Sequence, residues 1–260
     1  MFFSLATEPG TPDSPNEDWA AISSTMAIVL DGVTTFQGFK TGCTHGTPWY
    51  VKQLGTRFLN SALDQEIPLS HALKTAISSV AILHADTCDL GQIGAPAAAV
   101  GAIRKTGRSI EYLVLADVTI LLQSVNGLTV VSDERVSSAV DDLAVKDNPS
   151  AEVMKRRERY RNKERGYWVA AADPDAAEHA KVGQISLDGF QCAAMMSDGV
   201  SRLVAPFQQT DWPGILTLAQ GIGPVALIRQ IRTLESADAE RTRWPRFKSS
   251  DDATIVLINV

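Results

Sequence analysis

Apolar and polar positions along the chain change period several times, and each change marks an element. "DWAAIS" and "TMAIVL" read as two strands joined by a tight connection at Ser23-Ser24. The second run stops on Asp31-Gly32, a dipeptide that ordinarily signals a hairpin after a strand. A Gly- and Thr-rich loop, "DGVTTFQGFKTGCTHG", then leads into "TPWYVKQLGTRFLNSAL". There Trp49, Leu54, Phe58 and Leu59 lie near one helical face, with Pro48 tolerated in the first turn. "SHALKTAISSVAILHADTCDL" predicts a second helix capped by Ser70.

Strand periodicity takes over next. "AAAVGAIRK", "SIEYLVLAD", "VTILLQSV" and "LTVVSD" alternate or run apolar, with turn signals at Thr106-Gly107 and Asn126-Gly127. Residues 137 to 165 are polar and read as helical, and "GYWVAAADPDAAEHA" as irregular with a short helix. "FQCAAMMSDGV" repeats the apolar strand ending in Asp-Gly, two helices fall within 211 to 237, and "DDATIVLINV" predicts a final strand. The order of elements predicts an α+β layered domain rather than alternating βαβ units. No Gly-rich phosphate loop follows a strand.

Composition narrows the partners. Twenty-four basic against thirty acidic residues give a net charge of −6, which does not recommend a nucleic-acid backbone. The stretch "MFFSLATEPG" lacks the positive flank of a signal peptide, and no apolar run reaches the roughly 18 residues of a membrane span. The expectation is a cytoplasmic protein without a membrane partner. Cys43, Cys88 and Cys192 are widely spaced with no C-x-x-C pair, which argues against a disulfide framework or a zinc site and for buried free thiols. Charge is also polarised. Residues 1 to 39 hold five acids and no Lys or Arg, whereas "KRRERYRNKER" (155–165) holds seven bases and two acids.

Acids recur at predicted strand ends. Asp31 ends one apolar strand, Asp117 sits between two, Asp198 ends another and Asp251-Asp252 opens the last, while Asn16-Glu17-Asp18 precedes the first. Asp188-Gly189 reads as a plain turn, but no returning strand follows Asp198-Gly199. Two unit charges 4 Å apart repel by about 4 kcal/mol at an effective dielectric of 20. A cluster of three or more therefore needs protons or a cation. With no suitable His/Cys spacing, the cation expected is a hard one with oxygen ligands, Mg²⁺ or Mn²⁺.

The order of "PNEDW", "IVLDGV", "LADVTILL", "MMSDGVSRL" and "SSDDATIVLI" resembles the motifs of the metal-dependent protein phosphatases of the 2C type (the PPM family), as in its bacterial single-domain members. The likeness runs from about residue 7 to residue 260. It implies one domain over 1–260, a four-layer α-β-β-α sandwich of two mostly antiparallel sheets flanked by helices, with a variable flap around 137–180. It also implies that Asp31 bridges two ions with the Gly32 carbonyl beside it, and that Asp198 and Asp251 hold one of them. Asp117 matches the ligand of a third, weaker ion, and Glu17 and Asp18 the residues that orient metal-bound waters. The activity implied is hydrolysis of phosphoserine and phosphothreonine in proteins, opposite a cognate Ser/Thr kinase, by a water between two Mg²⁺ or Mn²⁺ ions.

Several positions depart from that pattern. Asp13 stands where the family commonly carries a phosphate-gripping Arg, Ala116-Asp117-Val118 replaces Gly-Asp-Ser, and "GAPAAAV" replaces a Gly-Ser-Thr strand start. His45, on the loop leading from Asp31, is the candidate proton donor to the leaving oxygen and a candidate phosphate contact, against a structural hydrogen-bonding role. Arg202 is the other phosphate candidate, against neutralising the site or a helix salt bridge. The basic 155–165 segment would meet an acidic phosphoprotein, or is solvated helix. The departures leave two further readings: a non-catalytic metal-binding regulatory module, and a phosphohydrolase for a small metabolite.

Overall fold

A computed structural model of the protein describes residues 1–35, 40–84, 86–92, 94–136 and 158–260. One sheet runs in the order β1 (Phe2–Glu8), β10 (Ala253–Asn259), β9 (Phe190–Met196), β6 (Thr119–Ser124), β7 (Gly127–Val131). The other runs β2 (Trp19–Ile22), β3 (Met26–Gly32), β4 (Ala98–Thr106), β5 (Ser109–Leu115), β8 (Lys181–Ser186). Every pairing is antiparallel. Among the described residues the helices are α1 (Thr47–Ala62), α2 (Leu69–His84), α3 (Asp198–Ser201), α4 (Trp212–Ile222) and α5 (Pro224–Ala237), with a 3₁₀ turn at Pro174–His179.

Alternation along β3 shows how the layers form. Met26, Ile28 and Leu30 face α1 and α2, where they meet Leu54, Phe58, Leu73 and Ile77. Ala27 and Val29 face the other way and pack between the sheets with Met195, Val256 and Ile258. A third cluster joins Met196, Ile255 and Leu257 to Ile215, Leu227 and Ile231 of α4 and α5. The result is the expected four layers, helices–sheet–sheet–helices. No single helix among the described residues is long and apolar enough to cross a membrane.

Three differences from the sequence reading have physical causes. β1 and β8 carry no strong strand signal because each is a sheet edge with one neighbour, and most of their side chains face solvent. Their backbone ladder, rather than burial, defines them. Helix α2 begins at Leu69, so Ser70 lies inside the first turn instead of capping it. Residues 137–157, most of the expected polar helix and the core of the expected flap, lie outside the described residues. The Asp188-Gly189 turn is present, with Gly189 at φ +78, and it passes the chain from one sheet to the other rather than closing a hairpin.

Candidate active site

Four strand ends deliver carboxylates to one end of the sandwich. Asp31 continues the Ala27–Val29 side of β3 and points across to the opposite sheet, where its Oδ2 accepts the Asp198 backbone N–H at 3.1 Å. Asp198 follows β9 and opens α3. Asp117 sits where the chain crosses from β5 to β6, after Ala116 at φ 66, and Asp251 lies just before β10. Together with Arg202 and Lys248 these acids line a cleft of about 700 Å³.

Gly32 and Gly199 are required by close approach. A Cβ on Gly32 would stand 2.4 Å from the Glu17 carbonyl oxygen, and one on Gly199 2.0 Å from that of Asp252. Neither glycine has the positive φ of a turn. Both Asp-Gly pairs thus bring backbone against backbone beside the acids.

Burial and mutual repulsion dominate the electrostatics. The Asp31 carboxyl is pushed well above the carboxylate range by burial, then by Asp198, Asp18, Asp117 and Asp251. Burial and the neighbouring Asp251 push Asp198 up to about 7, against the opposing pull of Arg202. Burial pushes Asp18 up to about 8, although Ser197 Oγ donates to its Oδ2 at 2.7 Å. Glu17 is raised by burial and held back by a hydrogen bond from Thr34. No Lys or Arg among the described residues pairs directly with Asp31 or Asp198. Buried acids of this kind take up protons or a cation.

Asp251 differs. Its Oδ2 accepts from Arg202 at 2.8 Å and its Oδ1 from Lys248 at 2.5 Å. Arg202 is itself held by Glu235 at 2.7 Å, so its buried guanidinium balances Asp251. Lys248 Nζ also donates to Thr34 Oγ1 at 2.7 Å. Burial works against charge on Lys248, but Asp251 beside it, with Asp198 and Asp31 nearby, outweighs that and raises its pKa. The adjacent Asp252 accepts the Gly10 and Glu17 backbone N–H groups, each at 2.7 Å, and so fixes the Asn-Glu-Asp stretch against the cleft.

The donor set suits a hard divalent ion. Asp31, Asp117, Asp198 and Asp251 offer only oxygens, and a carboxylate has about four acceptor sites, so Asp251 keeps capacity beyond its two cation contacts.

His45 is elsewhere, contrary to the sequence expectation. Its imidazole stacks on Trp49 at 4.2 Å and lies beside Cys43, Cys88 and His84, outside the cleft wall. The cause is local: the loop before α1 folds against the end of α2, where the Asp89 N–H bonds the Gly42 carbonyl at 2.7 Å. Lys248 was missed in the sequence, and Asp252 was noted there only as the neighbour of Asp251. Lys248, three residues before Asp251 in "KSSDD", carries the only sequence signal for a cation there.

Neither a family model nor a curated protein matches the sequence. Solved structures do match in shape. The Mycobacterium tuberculosis serine/threonine phosphatase PstP/Ppp superposes with a TM-score of 0.63 at 16% identity, covering 100% of this chain and 98% of that one. The catalytic domain of PstP in complex with two manganese ions gives 0.60 at 15%, covering 99% and 97%. Stp1 from Staphylococcus aureus gives 0.58 at 13%, covering 99% and 94%. The fold is that of these phosphatases. The similarity spans essentially the whole chain in each case, so the sheet pair and its flanking helices belong to one shared architecture.

Proposed function

We propose that the protein is a divalent-metal-dependent phosphatase acting on phosphoserine and phosphothreonine in proteins. One observation carries the reading: carboxylates from four separate strand ends converge in one cleft, on a fold shared with serine/threonine phosphatases, one of them solved with two manganese ions. Asp31, the Gly32 carbonyl, Asp198 and Asp251 would hold two ions, Mg²⁺ or Mn²⁺, and Asp117 a third. Such ions polarise a phosphoryl group and lower the pKa of water that attacks it.

The chain's own residues supply the rest. A phosphomonoester is an anion that bare carboxylates repel, so recognition needs a cation at the wall. Lys248 fits that role, because its ammonium lines the cleft and keeps partial exposure. Arg202 is fully engaged by Glu235 and Asp251, and serves to orient Asp251 rather than to grip phosphate. Glu17 and Asp18, with raised pKa values and fixed by Thr34 and Ser197, are placed to hold protons next to the acids. A kinase acting on the same proteins would supply the substrate.

A second reading, a non-catalytic metal-binding module, is favoured by the two cations already on Asp251. Hydrolysis of p-nitrophenyl phosphate and of a phosphothreonine peptide, with Mn²⁺, Mg²⁺ or EDTA, separates the two. Turnover that needs metal and disappears in Asp31→Asn and Asp198→Asn supports the enzyme. Calorimetrically detected metal binding without turnover would leave only the module. A peptide far poorer than small phosphoesters points to a small-metabolite substrate.

A further inference from the structure

We propose that Cys43, His45, His84 and Cys88 form a closed four-ligand site for a zinc ion, separate from the carboxylate cleft. One ligand atom from each residue lies within 4.8 Å of the others. The residues arrive from two places: Cys43-x-His45 from the loop that enters α1, and His84-x-x-x-Cys88 from the end of α2. The expectation that zinc was excluded rested on the lack of a C-x-x-C pair. That rule does not reach this cluster, because each half supplies one Cys and one His and the close pairs between the halves, Cys43–His84 and His45–Cys88, span 41 and 43 residues of sequence.

The distances fit a tetrahedron. With Zn–S near 2.3 Å and Zn–N near 2.05 Å, a sulfur–nitrogen edge of a tetrahedral site measures about 3.6 Å. Cys88 Sγ lies 3.4 Å from His45 Nδ1, Cys43 Sγ 3.5 Å from His84 Nδ1, and Cys43 Sγ 3.7 Å from His45 Nδ1. The His45 backbone N–H points at Cys43 Sγ at 3.3 Å, and Thr87 Oγ1 is 3.5 Å from Cys88 Sγ, contacts that suit thiolates.

Two further features set the imidazoles. Trp49 stacks on His45 and meets His84 edge to face at 4.8 Å, fixing both ring planes. His84 is buried, its Nε2 has no hydrogen-bond partner, and its Nδ1 meets only a sulfur among the described residues. A buried imidazole without oxygen or nitrogen partners is costly. A metal on Nδ1 replaces that weak sulfur contact with a strong bond and fixes the proton on Nε2.

Donor chemistry decides the ion. Two sulfurs and two imidazoles select zinc over Mg²⁺ or Mn²⁺, so the two centres sort their metals. Zinc takes both sulfurs as thiolates, and the two thiolates neutralise the ion in a half-buried site. Four protein ligands leave no open position, which makes the site structural. It fastens residues 40–46, which lead into α1, onto the end of α2.

The test uses the reduced full chain, grown with added zinc and purified without a metal-affinity column. Elemental analysis should find about one zinc per chain that survives EDTA dialysis. Titration of the stripped chain with Co²⁺ should give thiolate-to-cobalt charge-transfer absorption saturating at about one equivalent. Cys88→Ser and His84→Ala should lose the zinc while Asp31→Asn keeps it, so failure here is distinct from failure of the phosphatase reading. No zinc together with no thiolate–cobalt band in the wild-type chain would overturn the proposal. So would a Cys43–Cys88 disulfide found by peptide mapping of zinc-free chain alkylated at lysis.

Discussion

Asp198 donates its backbone N–H to Asp31 Oδ2 at 3.1 Å, although they lie 167 positions apart in sequence and the strands that present them, β3 and β9, belong to different sheets. The contact brings the second carboxyl beside the first, and no Lys or Arg among the described residues pairs directly with either. Burial and repulsion hold Asp31 well above the carboxylate range, which favours its neutral form unless a cation sits beside it. Asp31→Asn, which mimics the protonated acid, should change the stability of chelator-treated protein by less than about 1 kcal/mol. The same change should abolish stabilisation by Mn²⁺, which for the wild type reaches about 2.7 kcal/mol at a hundred times Kd. Thermal unfolding with and without Mn²⁺ reads both quantities.

Stability of the metal-free protein should fall as pH rises. Asp18 and Asp198 have an ordinary value of 3.8 and folded values of about 8 and about 7, so the native state binds their protons more tightly than the unfolded chain. Their contribution is full below the unfolded value of 3.8, falls progressively as pH climbs from there, and is gone once pH has passed the folded values of about 7 and about 8. Urea midpoints in EDTA should decline across that window, and saturating Mn²⁺ should flatten the decline. A midpoint that rises with pH in EDTA would refute the assignment.

Lys248 and Arg202 should separate kinetically. Lys248→Met removes a partly exposed cation at the cleft wall and should raise KM for a phosphopeptide about tenfold, with a smaller change in kcat. Arg202→Met uncovers buried Glu235 and Asp251 and should cost about 3 kcal/mol of stability. Equal KM effects without loss of stability would reverse the two roles.

Ala116 occupies φ 66 at the crossover that presents Asp117, where the related motif has glycine. An L side chain in that region costs about 1–2 kcal/mol, and glycine gives back part of it through backbone entropy. Ala116→Gly should therefore stabilise the protein by about 0.5–1 kcal/mol, read from denaturant midpoints at unchanged m.

The layers were legible because β3, β9 and β10 alternate cleanly, each splitting its side chains between two apolar clusters. The acids were legible as a set because their strands end together. What Asp-Gly meant at each place was not. Gly189 has φ +78 and makes a turn, whereas Gly32 and Gly199 have ordinary φ and are small because a carbonyl passes within 2.4 Å and 2.0 Å of where a Cβ would sit. That requirement comes from distant chain and leaves no local trace. The Cys/His cluster was hidden for the same reason, since His84 reads as one more residue at the end of an apolar helix. His45 was drawn to the cleft by nearness in sequence to Asp31, while its partner Trp49 one turn into α1 decided otherwise.

Strand β10 lies between β1 and β9, pairing Phe2 with Asn259 and Cys192 with Asn259 on its two sides. Asp251 and Asp252 stand at its start, so the acid cluster is complete only when segments some 220 residues apart, those of Asp31 and Asp251, have met. Contacts of such long range form late, because the entropy of closing the loop precedes any reward. A chain caught midway through assembly therefore holds its carboxylates apart, and metal affinity arrives together with the finished fold.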